Sequence, residues 1–401
     1  MKMELWKRNL IVCWLGMFAT GIGFSQIAPI MPLFIQHLGV HNAKAVEQWS
    51  GLAFGVTFII SAVFSPLWGR AADRFGRKPM LLRASLGMAL VIFLMGFSQN
   101  VGELLVLRLL QGIITGYGTA CTTLIATQTD KEHSGAALGT LATSGIAGSL
   151  LGPLIGGFIG ETWGFQNVFF FTGLLMILTF VLTLLFVKEH FTPDTKKTAG
   201  HRETWQAVPH KTITLILFAS FFVSYLSLYS IEPILTVYIS SLSLTVSHLA
   251  FMAGLIFSSS GLATMLSSPL LGRLSDRRGP HKILLVSLVF AGLCTLPQAF
   301  VTNPWQLLIL RFLLGLATGG ITPALNSLVK RLTPQAITGR IFGFTMAAGY
   351  LGVFAGSVLG GQTASAWGLR FVFFLVAGGI LLNVLLVYFG VYRKVEHLAE
   401  A

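Results

Sequence analysis

The stretch SPLWGRAADRFGRKPMLLR, residues 65–83, sets Arg70, Asp73, Arg74, Arg77, Lys78 and Arg83 between two long apolar runs. Half a chain later, SPLLGRLSDRRGPHKILL, residues 268–285, repeats the pattern. Ser65-Pro66-Leu67 aligns with Ser268-Pro269-Leu270, Gly69 with Gly272, and Asp73 with Asp276. The correspondence runs well beyond these loops. LRLLQG at 107–112 aligns with LRFLLG at 310–315, WGFQNVFFF at 163–171 with WGLRFVFFL at 367–375, and IAPI at 27–30 with IEPI at 231–234. The offset stays at 203 or 204, so the chain reads as a tandem duplication.

Around the loops the chain is apolar. Of 401 residues, 54% are hydrophobic and 10% charged, against about 25% charged in an average soluble domain. The apolar runs reach about 20 residues or more, enough to cross a hydrocarbon core ~30 Å thick. Too little polar sequence remains to cover a soluble core of this size. The spans fall at 9–35, 50–72, 79–98, 102–124, 135–160, 167–187, 212–240, 246–271, 281–299, 304–328, 338–363 and 369–391. The expected fold is an all-α integral membrane protein with twelve transmembrane helices. The first apolar run outlasts a signal peptide and lacks a small-residue cleavage site, so it reads as an uncleaved span.

The net charge of +13 does not point to nucleic acid, because the basic residues sit in short loops between apolar runs. Of 27 Lys and Arg, only Lys44 and Arg370 fall outside, and Arg108 and Arg311 fall within spans. The other 23 lie on one side, which the positive-inside rule makes cytoplasmic, with both termini. The long polar segment KEHFTPDTKKTAGHRETWQAVPHK, residues 188–211, separates a bundle at 1–187 from one at 212–401. It has room for a short amphipathic helix on the membrane surface, which the sequence leaves open. A parallel duplication of six spans implies two bundles related by an axis along the membrane normal, with a binding site near the midplane.

GRAADRFGRKPMLL resembles the loop 2–3 signature of the major facilitator superfamily, and GRLSDRRGPHKILL is its echo. The residues concerned are Gly69, Asp73, Arg74, Gly76, Arg77 and Lys78, then Gly272, Asp276 and Arg277. Gly69 is expected to let the second span approach a neighbour closely, and Asp73 to accept hydrogen bonds from a helix N-terminus. The resemblance implies a latch between the halves on the cytoplasmic side. LLVLRLLQGIITGYGTA, residues 104–120, is similar to the family's fourth-span motif, which assigns Arg108 to proton coupling. Arg108 lies about 9 Å inside the outer boundary. A cation at a helix centre costs ~2.5–3.5 kcal/mol, so Arg108 must pair or face water. Arg311 repeats its geometry in the tenth span.

SGIAGSLLGPLIGGFIG, residues 144–160, places Gly148, Gly152, Gly156 and Gly160 four apart, on one helix face, as a groove for close backbone contact. Pro153 interrupts the backbone bonding there. By resemblance, Gly152, Pro153, Gly156 and Gly157 form a motif associated with exporters that exchange substrate for protons. The second half keeps Gly352, Gly356, Gly360 and Gly361 but has Ser357 where the first has proline.

Of fourteen acids, thirteen fall in loops, termini or span ends. The exception is Glu232, about 12 Å from the outer end of the seventh span. A carboxyl at that depth is suited to binding and releasing a proton. Its repeat counterpart is Ala28, and the matched Pro29 and Pro233 predict a bend in both spans. The first span offers Gln26 where some relatives carry an acid. If the superfamily arrangement holds, Gln26, Gln111, Tyr117, Tyr225, Tyr229 and Asn326 line a cavity, with many of the 32 Phe around them. Such walls suit amphipathic ligands.

No catalytic triad, nucleotide loop or metal-ligand spacing occurs, so neither an enzyme nor a cofactor or metal is expected. Cys13, Cys121 and Cys294 all fall in apolar runs. WKRNLIVCWLGMFATG, LIATQTDKEHSGAALGTL and RFLLGLATGGITPALN look like the twelve-span drug:proton antiporters of bacteria. The resemblance implies a monomeric, multi-pass protein of the cell membrane that exports drugs or antibiotics in exchange for protons, with the lipid bilayer as its surroundings and no nucleic-acid partner. Two other readings stay open: an exporter of a metabolite, sugar or lipid with incidental drug efflux, and a non-transporting membrane sensor.

Overall fold

The computed structural model describes residues 4–189, 191, 205, 208–242, 248–334 and 337–393. The surface helix considered for the linker lies almost wholly outside the described residues. The helices are α1 (Leu5–Ser25), α2 (Ile27–His37), α3 (Ala43–Phe75), α4 (Arg77–Met95), α5 (Val101–Ile114), α6 (Tyr117–Gln128), α7 (Lys131–Trp163) and α8 (Phe165–Phe186). They continue as α9 (Lys211–Ile231), α10 (Leu235–Leu242), α11 (Leu249–Arg278), α12 (Pro280–Thr295), α13 (Pro304–Leu332), α14 (Thr338–Trp367) and α15 (Leu369–Val387). Among the described residues eleven helical spans are long and apolar enough to cross a membrane, and α1 with α2, bent by 47°, makes a twelfth.

Several spans are broken. The first breaks at Gln26 and the seventh passes through a tight turn at Glu232–Ile234. Proline explains both: Pro29 and Pro233 lack the N–H that would bond the carbonyls of Ser25 and Tyr229 four residues back. The fourth span, expected as one helix, is split into α5 and α6 at Thr115–Gly116. In contrast, α7 runs unbroken through Pro153.

The duplication shows in local chemistry. Asn100 accepts from Glu103 N at 3.0 Å, while Glu103 reaches back to Gln99 N at 2.9 Å. Asn303 accepts from Gln306 N at 3.0 Å, and Gln306 accepts from Thr302 N at 2.9 Å. These reciprocal caps start α5 and α13 at the same place in each repeat. Gly76 and Gly279 (φ +93° and +99°), then Gly164 and Gly368 (φ +97° and +93°), make the turns into α4, α12, α8 and α15. Such φ values strain any residue with a Cβ.

The chain packs as two units: Met1–Asn42 with Val56–Lys196 and Ser247–Ser258, and Ala43–Gly55 with Lys197–Val246 and Ser259–Ala401. Within the first, a Cβ on Gly148 would lie 2.5 Å from Phe18 O, and one on Gly152 would strike Ser25. Gly156 seats Gln26, whose Cβ would lie 2.7 Å from a Cβ placed on Gly156. The face of α7 that carries these three glycines therefore receives the backbone of α1, as small-residue packing in lipid requires. Gly160 does not extend this groove; it packs on Phe165 and Val168. Gly157 and Pro153 meet α11 instead, at Ala250 O and Gly254. The second unit repeats the arrangement: Gly352 against Phe222 O, Gly356 against Leu226, Gly360 against Ser230, and Gly361 against Glu47 O. There Ser357, the counterpart of Pro153, meets Gly51 and Gly55 of α3. A buried amide adds one more tie in the first unit. Asn9 donates to Lys188 O at 2.7 Å and accepts from Lys188 N at 3.1 Å, joining α1 to the end of α8.

Replacing Gly148 by Val forces α1 and α7 apart and is expected to destabilise the protein by about 1–3 kcal/mol, the usual cost of overpacking. Thermal unfolding of purified protein in detergent checks this against Gly145→Val, where open space surrounds the new side chain and little change is expected.

Candidate functional site

In the second unit, α9 carries Phe221, Tyr225 and Tyr229 at spacings of four, so their rings share one helix face. Tyr225 and Tyr229 stack at 5.9 Å with planes 4° apart, and Phe221 stacks on Tyr225 at 6.3 Å. Phe54 of α3 continues the ladder, 6.0 Å from Tyr229. One residue past the end of α9 stands Glu232, first in its tight turn and half-buried. It interacts electrostatically with Arg311 of α13. Arg311 is 4% exposed, and its Nε and Nη2 find no hydrogen-bond partner among the described residues. A buried cation needs a countercharge, and within this unit Glu232 supplies it. Asn326, lower on α13, is half-buried with its Oδ1 unsatisfied among the described residues.

In the first unit, Arg108 is 1% exposed and donates through Nη1 to Gln111 Oε1, one turn along α5. Thr57 of α3 donates to Arg108 O at 3.0 Å, and a Cβ on Gly112 would lie 2.6 Å from Thr57 O. Gln26 stands at the break between α1 and α2, 1% exposed, and donates to Thr172. Tyr117 is placed differently from the sequence expectation. It is 1% exposed inside a core cluster with Cys13, Cys121 and Leu124, and its hydroxyl meets Thr183 at 3.2 Å. Its ring fills the space that Gly16 leaves on α1. Tyr117 is thus a packing residue, not part of an open wall.

The loop signature also departs from expectation in two respects. A Cβ on Gly69 or Gly272 would meet nothing within 4 Å, so neither glycine serves a close helix approach here. Asp73 pairs with Arg77 at 2.6 Å, an exposed one-turn pair. The helix N-terminus beside it is capped by Glu189, which accepts from Arg77 N at 2.8 Å and Lys78 N at 2.7 Å. Lys78 Nζ donates to Leu184 O at 3.1 Å, satisfying a carbonyl at the end of α8. In the echo, Asp276 faces Arg331 of α13 at 3.9 Å, because Pro280 stands where Arg77 would. Arg74 lies over the Phe75 ring, and Arg277 is exposed.

Two further acids have structural roles. Glu189 falls within the polar segment 188–211, and its place three residues past the end of α8 is the signal for a cap. Glu47 falls before the second span expected at 50–72, yet α3 begins at Ala43 and Glu47 is 5% exposed, with Oε2 unsatisfied among the described residues. Glu232 is therefore not the lone acid inside a helical span. At the matching end of α7, Glu161 caps α11 by accepting from Ala250 N at 3.0 Å, with His248 3.7 Å away.

Duplicated helical bundles with spans broken at prolines, and a buried charged pair beside aromatic rings, define a polytopic membrane transporter. The chain belongs to the major facilitator superfamily, which it matches over residues 13–253 and 217–400. It is 44% identical over 390 residues to multidrug resistance protein MdtG of Salmonella arizonae, covering 97% of this chain and 96% of that protein. The same figure holds over 395 residues for MdtG of Citrobacter koseri, covering 98% and 97%. Among solved structures it resembles a bacterial homologue of the human lysosomal transporter Spinster. That match has a TM-score of 0.80, 14% identity, and coverage of 97% of this chain and 98% of the other. The human organic anion transporter MFSD10 (TETRAN) matches with a TM-score of 0.72 and 17% identity, over 96% of this chain and all of the other.

Glu189→Ala removes a charged cap from two backbone N–H groups and is expected to cost about 1–2 kcal/mol. Asp73→Asn breaks only an exposed pair, worth less than about 1 kcal/mol. Thermal unfolding of the two variants side by side checks the ranking.

Proposed function

We propose that the protein is a multidrug efflux transporter of the bacterial cell membrane, exporting amphipathic toxic compounds in exchange for protons. One observation carries the cargo: near full-length identity of 44% to proteins named multidrug resistance protein MdtG. The half-buried rings of Tyr225 and Tyr229, backed by buried Phe221 and Phe54, support it, since flat rings offer apolar faces with few polar demands. Asn326 of the same unit is the proposed polar anchor.

Coupling is proposed to run through Glu232 and Arg311. A proton taken up by Glu232 removes the countercharge of Arg311, and a buried cation without its partner is strongly disfavoured. That imbalance biases the protein toward a state in which Arg311 is solvated or re-paired. Arg108, held by Gln111, is the matching cation of the first repeat and the proposed second member of the coupling machinery. The working bodies are taken as residues 1–187 and 212–401, joined by the cytoplasmic segment 188–211, in a monomer with both termini inside. The basic loops around Asp73 and Asp276 then lie at the cytoplasmic face, by the positive-inside rule.

The test is a panel of dyes and antibiotics in an efflux-deficient strain, with and without a protonophore, followed by proton-driven uptake into everted vesicles. The parent protein is expected to extrude several chemically unrelated compounds, and the protonophore to abolish this. Glu232→Gln is expected to lower proton-driven uptake about tenfold or more, a loss of at least ~1.4 kcal/mol of coupling. It should also flatten the pH dependence. Unchanged coupling and an unchanged pH profile would remove Glu232 from this role, and a single accepted substrate would replace the multidrug reading with a dedicated exporter.

A further inference from the structure

The break in the fourth span has no counterpart in the second repeat. In an unbroken helix, Ile113 O and Thr115 O would accept from Tyr117 N and Thr119 N. Here Ile113 O accepts from Trp68 Nε1 of α3 at 2.6 Å, and Thr115 O accepts from Arg83 Nη2 of α4 at 3.1 Å. The Arg83 guanidinium lies over the Trp68 ring, 3.6 Å from its centroid. Its Nε and Nη1 are buried without a hydrogen-bond partner among the described residues, so the ring face is the compensation for its charge. Gly116 has φ +125°, and its missing Cβ points toward Arg83 Nη2 at 3.5 Å.

At the offset of 203, Leu271 stands for Trp68, Val286 for Arg83 and Gly319 for Gly116. Val286 is 65% exposed, α13 runs unbroken from Pro304 to Leu332, and Gly319 packs directly on Ser267 and Ser268. The helix is open where the Arg–Trp pair exists and closed where it does not.

We propose that Arg83, seated on Trp68, is a positioning residue that holds the fourth span open at Thr115–Gly116, making that span a two-state element in the first repeat. In the open state the two carbonyls are bonded by side chains. In the straight state the backbone N–H groups of Tyr117 and Thr119 reclaim them. Each carbonyl is satisfied either way and the number of hydrogen bonds is conserved; what changes is which donors are released, the Tyr117 and Thr119 N–H groups in the open state or Trp68 Nε1 and Arg83 Nη2 in the straight one. Opening separates α5, which carries Arg108 and Gln111, from α6 by the two non-helical residues Thr115 and Gly116 within one crossing, Val101–Gln128, and closing makes the helix continuous. The turnover arm of the test rests on the proposed transport activity, whereas the distance arm does not.

The experiment places spin labels on the full-length protein at Val106 of α5 and Thr127 of α6, both exposed, and measures their separation by pulsed electron resonance. A straight helix separates these positions by about 31 Å at 1.5 Å per residue. In the parent a population at a distance different from this is expected to dominate, because Thr115 and Gly116 leave the helical path. Arg83→Met keeps the bulk of the side chain but removes the donor and the charge, and is expected to shift the population toward the straight distance. Trp68→Phe, which keeps a ring face and removes the donor to Ile113, should give a smaller shift. Gly116→Ala penalises the open backbone directly and should match Arg83→Met. Vesicle transport is expected to show turnover falling about tenfold in Arg83→Met with apparent substrate affinity within about threefold, because the positioning fails rather than binding. If the distances in Arg83→Met and Gly116→Ala equal the parent's, the hinge is refuted whatever happens to transport. A shifted distance with unchanged turnover would refute its part in the cycle. Should Arg83→Met not reach the membrane, Gly116→Ala and Trp68→Phe decide on the same distances.

Discussion

Inside hydrocarbon no water is available to satisfy a backbone carbonyl or amide, and lipid gives helices no hydrophobic reason to associate. Both constraints act at the same places in this protein. Glycines at Gly148, Gly152 and Gly156, and again at Gly352, Gly356 and Gly360, let one helix backbone rest on another. Wherever a span breaks, a side chain must take over the partners that the helix gave up. Close packing and carbonyl satisfaction therefore decide which segments are rigid and which have a second arrangement within reach.

The charged groups obey the same accounting. Arg108 and Arg311 occupy equivalent positions, yet they are compensated differently: Arg108 by Gln111 on its own helix, Arg311 by Glu232 on another element. The difference traces to two substitutions between repeats, Ala28 against Glu232 and Gln111 against Leu314. Duplication supplied two identical frames, and a few changes gave each frame its own chemistry. The same holds for Arg83 and Trp68 against Val286 and Leu271, and for Pro153 against Ser357.

The cytoplasmic signature shows how a motif can be read correctly as a pattern and incompletely as a mechanism. Its acid and basic pair are where the pattern put them, and Asp73 does pair with Arg77. The helix N-terminus, however, belongs to Glu189, more than a hundred residues downstream. Spacing within a motif reports neighbours along a helix; it cannot report which distant carboxylate arrives at the helix end.

The amino-acid sequence by itself determined the membrane class, the duplication, the positions of nearly all spans and the bends at Pro29 and Pro233. Apolar length, repeat offset and the missing proline donor are local properties of the chain. It also singled out Glu232, Arg108 and the glycine-rich fifth span, because charge and small residues are conspicuous in an apolar run. Only the tertiary structure decided that Glu232 answers to Arg311, that Tyr117 is packed beneath Gly16, that Gly69 faces open space, and that Glu47 lies inside a helix. Those outcomes depend on which helices cross at which depth, and that is set by the sum of many close contacts between residues far apart in sequence. The split at Thr115–Gly116 is the clearest case: nothing in ITGYG marks a break without the arginine and tryptophan that two other helices bring to it.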